Sequence, residues 1–110
     1  MRVIRLGAFE ADLVGHFADI AVEQPAAAER FALAADELVA ALSIYPKLGR
    51  VWHPTDDRVA GVRVRKVPGY NVLVFYLLGD DKLTVLRAMH GARGDMMQVI
   101  AEELTGEDDG

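Results

Sequence analysis

The fold is decided by residues 67–93, which read VPGYNVLVFYLLGDDKLTVLRAMHGAR. Val72 to Leu78 is an almost uninterrupted apolar run, and a strand with two apolar faces is typical of the middle of a sheet. Gly79-Asp80-Asp81 is a turn signal, after which Leu83 to Met89 returns as another strand. The stretch therefore predicts two neighbouring strands, joined by a short turn, in the interior of a sheet.

A third strand is predicted just upstream, because valine and arginine alternate there. Val62 and Val64 fall on one side and Arg63 and Arg65 on the other, which indicates a half-exposed strand. The preceding residues, 47–58, contain Gly49, Pro54, Asp56 and Asp57 and are predicted to be a loop.

The N-terminal half predicts a short strand followed by a helical hairpin. Residues 2–6 suit an opening strand, and apolar side chains then recur at steps of three and four from Phe9 to Ile20. Pro25 starts a second helix that ends at Pro46. After the strands, Asp95 and Gln98 resemble a capping box before a last amphipathic helix. We therefore expect an α+β fold, an antiparallel sheet with an N-terminal helical hairpin on one face, in the order β-α-α-β-β-β-α.

The length and charge of the chain limit the classes of function that it can have. The chain has 110 residues, no cysteine and a net charge of −5, which fits one domain over residues 1–104 with an acidic tail at 105–110. Residues 47–93 nevertheless carry 9 positive and 4 negative side chains. Local contact with an acidic partner is therefore expected, but bulk DNA binding is not. The sequence shows neither a signal peptide nor a membrane span, so a cytoplasmic location is expected.

Several strings in this order resemble the ParE branch of the RelE/ParE toxin superfamily over about residues 9–93. They are QPAAA at 24–28, YPKLGR at 45–50 and the strand pair within 67–93. Gly94 departs from the family, in which the preceding arginine commonly runs straight into a small polar residue.

The resemblance implies a toxin of a type II toxin-antitoxin system, held in a hetero-oligomer by a ParD-like antitoxin whose C-terminal segment wraps across it. Members of this branch characteristically poison DNA gyrase, whereas RelE-type relatives cleave messenger RNA on the ribosome. Both activities share one fold. A degenerate member that only binds its antitoxin is the third alternative.

Candidate site residues follow from these alternatives. A nuclease without a metal needs cationic groups and a proton donor on one face of the sheet, and the candidates are Arg65, Arg87, His90 and Arg93. The central strand offers no ionisable side chain except tyrosine, so binding without catalysis is favoured. The candidate target-binding residues are Arg63, Arg65, Lys66 and Arg93, and the candidate antitoxin-binding residues are Leu13, Phe17, Trp52 and Phe75.

Each of these residues also has a purely structural interpretation. Arg63 and Arg65 would lie on a solvated face, and Arg87 would pair with a carboxylate such as Asp12 or Asp19. His90 would be a hydrogen-bonded structural histidine, and Trp52 would close the core. No metal-ligand spacing or phosphate loop is present in the sequence, and we expect neither a metal nor a cofactor.

Overall fold

The computed structural model describes residues 1–106. It contains five strands and three helices, with a 3-10 turn at Asp57–Val59. In chain order they are β1 (Arg2–Arg5), α1 (Gly7–Ala21), α2 (Pro25–Ile44), β2 (Arg50–Val51), β3 (Val62–Lys66), β4 (Val72–Leu78), β5 (Lys82–His90) and α3 (Met96–Gly106). The predicted α+β class and the order of the major elements are confirmed. Residues 107–110 of the expected acidic tail lie outside the described residues.

The sheet has the strand order β1-β5-β4-β3-β2, so the apolar strand β4 lies in its centre as predicted. Neighbours from β2 to β5 pair antiparallel, but β1 pairs parallel with β5. The expectation of a purely antiparallel sheet is therefore wrong at one edge. The helical hairpin and three strands separate β1 from β5 in sequence, and a connection of that length permits parallel pairing.

Each face of β4 packs against a different layer. Val74 and Tyr76 face the α1–α2 hairpin, whose buried residues include Phe9 and Phe31. Phe75 faces the opposite way and packs in a second core that includes Ile100 of α3. Helix α3 therefore covers part of this second face.

A β-bulge in β5 decides where its arginine points. Phe75 is opposite Arg87 whereas Tyr76 is opposite Val85, so Leu86 is an extra residue on β5. Leu86 packs in the α3-side core, and Arg87 reaches Asp12 on α1.

Two local predictions need correction. The predicted loop at 47–58 contains the short strand β2, which pairs with Arg63 and Val64. The predicted capping box before α3 does not form, because Gln98 donates to Glu102 and the Asp95 carboxylate accepts from Arg93. The neighbouring arginine, a charged donor, occupies the carboxylate that the cap would have used.

Candidate partner-binding surfaces

An open groove of about 310 Å³ runs between α1 and α2. Leu13 and Phe17, two of the residues predicted to bind an antitoxin, line it together with Phe31. Val14, also in the groove, is 70% exposed and Phe17 is 38% exposed. Arg5 at the rim is hydrogen-bonded to Glu10 and Asp36. The groove is thus an apolar trough with a charged rim, which suits the apolar face of an amphipathic helix.

The other two residues predicted to bind an antitoxin lie inside the molecule. Trp52 is 7% exposed and Phe75 is 0% exposed. Their rings pack edge to face with centroids 4.9 Å apart, in the core that α3 helps to cover. In this conformation neither ring presents a surface to a partner, because α3 and the sheet enclose them.

A buried tyrosine that the sequence analysis left without a role anchors the loop after α2. The Tyr76 hydroxyl donates to the Pro46 carbonyl at 2.7 Å and accepts from the Gly49 amide at 2.8 Å. Burial raises the pKa of Tyr76, and the Gly49 hydrogen bond opposes that rise. A Cβ on Gly49 would lie 2.7 Å from the tyrosine ring, so only glycine fits there. In the sequence, the signal for this close contact was the glycine within the predicted loop.

The two arginines of β3 lie on the hairpin side of the sheet but differ in their contacts. The half-buried Arg63 donates from Nη1 to the Gly49 carbonyl at 2.7 Å. The exposed Arg65 makes only a long contact of 3.4 Å from Nη1 to the Leu48 carbonyl. Arg63 therefore helps to hold the loop, whereas Arg65 can turn to a partner.

A second open groove, of about 590 Å³, lies at the end of β3. Three exposed cationic side chains line it: Arg50, Arg65 and Lys66. Within residues 1–106, no carboxylate lies at ion-pair distance from any of them. Arg50 was missed by the sequence analysis, because the loop prediction concealed its place beside β3.

The Arg87 side chain is held by contacts within the protein. Its Nε and Nη2 donate to the two carboxylate oxygens of Asp12 at 2.7 and 2.9 Å, and the amide of Ala88 donates to the same carboxylate. The hydrogen bonds to Asp12 raise the pKa of Arg87. The predicted pairing of Arg87 with an α1 carboxylate is confirmed for Asp12.

His90 and Arg93 lie beyond the end of β5, in contacts of their own. His90 is exposed, and its Nδ1 accepts from the amide of Ala92 at 3.1 Å. Arg93 donates to the exposed Asp95 at 2.5 Å and lowers the pKa of that carboxyl. Arg93 and His90 border a small cavity on α1, away from the groove at the end of β3.

His90 and Arg93 border a cavity that Asp12, the partner of Arg87, also lines, but the fourth candidate nuclease residue, Arg65, does not join them. Arg65 lies opposite Val74, which in turn lies opposite Ala88, so strand β4 separates Arg65 from β5. Val74 and Ala88 are buried beneath the helical hairpin, which stands between Arg65 and the Arg87 side chain. The candidate target-binding set is divided in the same way, because Arg93 does not line the groove that holds Arg65 and Lys66.

No His, Asp or Glu cluster placed to hold a metal ion is found within residues 1–106. In the same residues, no helix is both long enough and apolar enough to cross a membrane.

The geometry defines a small α+β domain whose surface includes two open grooves of different chemistry, one apolar and one cationic. Residues 3–94 match the family model for the ParE toxin of the type II toxin-antitoxin system parDE, so the chain belongs to that family. The match ends before α3, which begins at Met96. Membership implies an antitoxin partner. No curated protein matches the chain at a significant level.

Among solved structures, the chain is similar to one described as a chromosomal ParDE toxin-antitoxin system from P. aeruginosa. The TM-score is 0.69 at 20% sequence identity, over 82% of this chain and 95% of the other. At this identity the similarity shows that the two chains share a fold.

Proposed function

We propose that this ParE-family toxin acts by binding and poisoning DNA gyrase, and that a ParD-like antitoxin neutralises it by covering its apolar groove. The observation that carries the proposal is the separation of Arg65 from the other candidate nuclease residues, together with the engagement of Arg87 and Arg93 by carboxylates. A general acid must lie within hydrogen-bond reach of the atom it protonates, and phosphate-holding cations must surround the same centre. Here Arg87 is held by Asp12, Arg93 by Asp95, and Arg65 is on the far side of the hairpin.

The apolar groove supports the antitoxin half of the proposal. An amphipathic helix places side chains at steps of three and four into such a trough, and Phe17 and Leu13 of α1 offer matching apolar surface. Exposed apolar surface of this kind marks a binding site more often than a solvated face. Co-purification with the antitoxin encoded by the neighbouring reading frame tests this.

We expect Leu13→Glu to abolish co-purification, because a carboxylate would be buried without a partner. Val22→Glu is the matched control, since Val22 lies beyond the end of α1, is 83% exposed and does not line the groove. Equal retention of the antitoxin by both variants would place the antitoxin elsewhere.

The gyrase half rests on the cationic groove at the end of β3, where Arg65 and Lys66 are exposed and available to a target. The alternative is a ribosome-dependent RNase of the RelE type, in which Arg65, Arg87 and Arg93 would hold phosphate and His90 would donate a proton. The third alternative is a chain that has lost toxicity and binds only its antitoxin.

One induction experiment separates the three functions. Growth arrest is recorded together with messenger RNA cleavage and gyrase-mediated DNA breakage in extracts, for the wild type and His90→Ala. We expect arrest with DNA breakage in both, and no messenger cleavage. Cleavage by the wild type that disappears in His90→Ala, without DNA breakage, would overturn the proposal in favour of the RNase. No arrest with either protein would favour the degenerate toxin.

A further inference from the structure

The end of β3 carries an unpaired strand edge. The Val62 carbonyl accepts from the Trp52 amide on the β2 side, at 2.8 Å. The Val67 amide donates to Val72 on the β4 side, at 2.9 Å. Because backbone groups alternate in direction along an antiparallel strand, the amide and carbonyl of Lys66 point toward the β2 side.

β2 does not extend far enough to meet them. It pairs with only two residues of β3, and Arg50 opposite Val64 is its last contact in the direction of Lys66. Leu48, which would be next, donates its amide to Tyr45 instead. The backbone of Lys66 therefore offers one open donor and one open acceptor to an incoming chain.

The side chains around this edge combine positive charge with apolar surface. Arg50 is opposite Val64, and Lys66 is two residues along the same strand, so all three side chains lie on one face of the sheet. Leu73, opposite Lys66, lies on that face too. The exposed ring of Pro68 adds to the apolar surface.

We propose that this groove, here called the β3-edge groove, binds an extended acidic peptide segment of a partner protein. One residue of the peptide exchanges backbone hydrogen bonds with Lys66. On the face of the sheet that carries Val64 and Leu73, its carboxylates pair with Arg50 and Lys66. The side chains between those carboxylates lie on the opposite face, beside Arg65. The site is separate from the groove between α1 and α2, and it does not depend on whether gyrase is the target.

A peptide fits these features better than a nucleic-acid strand does. Single-stranded nucleic acids are held by aromatic side chains on which bases stack, and the residues that line this groove include none. The molecule also carries a net charge of −5, which opposes a polyanion at long range. A short acidic peptide has less charge to be repelled and can use the open backbone of Lys66.

The test is an NMR titration of the full ¹⁵N-labelled chain with three probes. They are a seven-residue peptide of alternating Glu and Val, its counterpart of alternating Lys and Val, and a ten-nucleotide oligothymidylate. We expect the acidic peptide to shift the backbone amides of Lys66, Arg50 and Leu73 and to slow hydrogen exchange at Lys66. Stronger binding of the oligothymidylate at these residues would overturn the proposal in favour of nucleic acid. Equal binding of the two peptides, or no binding of either, would also overturn it.

Variants separate the charge from the backbone contact. The double variant Arg50→Glu, Lys66→Glu should weaken the acidic peptide by at least about tenfold. Arg30→Glu, an exposed residue of α2 outside the groove, should have little effect. Lys66→Pro removes the amide donor as well as the charge, so it should weaken binding more than Lys66→Gln. Equal affinities for these two would refute the backbone contact. If Lys66→Pro does not fold, exchange protection at Lys66 in the wild-type complex decides the point.

Discussion

The arginines of strands β3 and β5 make opposite kinds of contact, although both strands belong to one sheet. Arg87 on β5 is 19% exposed and held at two oxygens by Asp12, itself 14% exposed. Arg65 on β3 is exposed and makes one long contact. A bidentate pair shielded from solvent contributes to folding and occupies the Nε and Nη2 donors of Arg87, whereas an exposed arginine contributes little to folding and remains available.

The comparison teaches that a charged residue in a strand is functionally informative only when its partners are known. An arginine side chain stabilises the fold on one side of the helical hairpin, and another remains exposed on the other side.

Asp12→Ala should be the most destabilising change. It leaves Arg87 without its carboxylate and the Ala88 amide without an acceptor, and we expect a loss of about 3 kcal/mol in the free energy of unfolding. Urea denaturation measures it. Asp19→Ala, an exposed position on the same helix, should change stability by less than about 0.5 kcal/mol. Similar losses of stability for both variants would contradict the structural role of the pair between Asp12 and Arg87.

Tyr76→Phe should have the next largest effect, on the loop beside β3. The change removes the acceptor for the Gly49 amide and the donor to Pro46, at a cost of about 1–3 kcal/mol. Because burial raises the pKa of Tyr76, its stabilising effect is complete below pH 10 and is lost as pH rises through its folded pKa. Tyr45→Phe, 66% exposed, is the control. An equal loss of stability at alkaline pH in Tyr76→Phe and Tyr45→Phe would contradict the role given to Tyr76.

Arg63→Gln and Arg65→Gln should differ although the residues are two apart on β3. Arg63 loses a 2.7 Å bond to Gly49, and we expect about 1 kcal/mol of destabilisation. Arg65→Gln should stay within about 0.5 kcal/mol. Thermal unfolding of the two variants side by side measures the difference. A larger loss of stability for Arg65→Gln would contradict the roles given to the two arginines.

Arg93→Gln should have the smallest effect on stability, because its pair with Asp95 is exposed. It should raise the pKa of Asp95 toward the ordinary range, since Arg93 is the main cause of its lowering. The stabilisation from this pair is present above the ordinary carboxyl pKa and is lost as pH falls through the lowered folded pKa. An NMR pH titration of the Asp95 carboxyl carbon measures the change, and an unaltered pKa would contradict the pairing.

Much of the fold could be predicted because periodicity reports burial directly. The apolar run Val72–Leu78 placed β4 in the centre, and the helical stripes placed α1 and α2 on one core. The two-residue strand β2 could not be predicted, since two residues carry no period. The parallel pairing of β1 depends on the path of the whole chain, which no local pattern encodes.

The candidate surfaces were predicted less completely, for a physical reason. Residue type shows that Arg65 and Lys66 are cationic, but only the register shows that Arg50 joins them. Likewise, an aromatic residue can serve equally as an interface anchor or as core. Trp52 and Phe75 proved to be core because α3 packs over them, while Leu13 and Phe17 remain open.

We propose that the toxin acts through the exposed Arg65 of β3 and by binding alone. The most direct measurement is DNA supercoiling by purified gyrase, titrated with the purified wild type, Arg65→Glu and the exposed control Arg30→Glu, in the absence of ribosomes. We expect the wild type and Arg30→Glu to inhibit supercoiling at similar concentrations and Arg65→Glu to require about tenfold more protein. If the wild-type protein arrests growth when it is produced in cells but leaves supercoiling undiminished at every concentration, the proposal is contradicted.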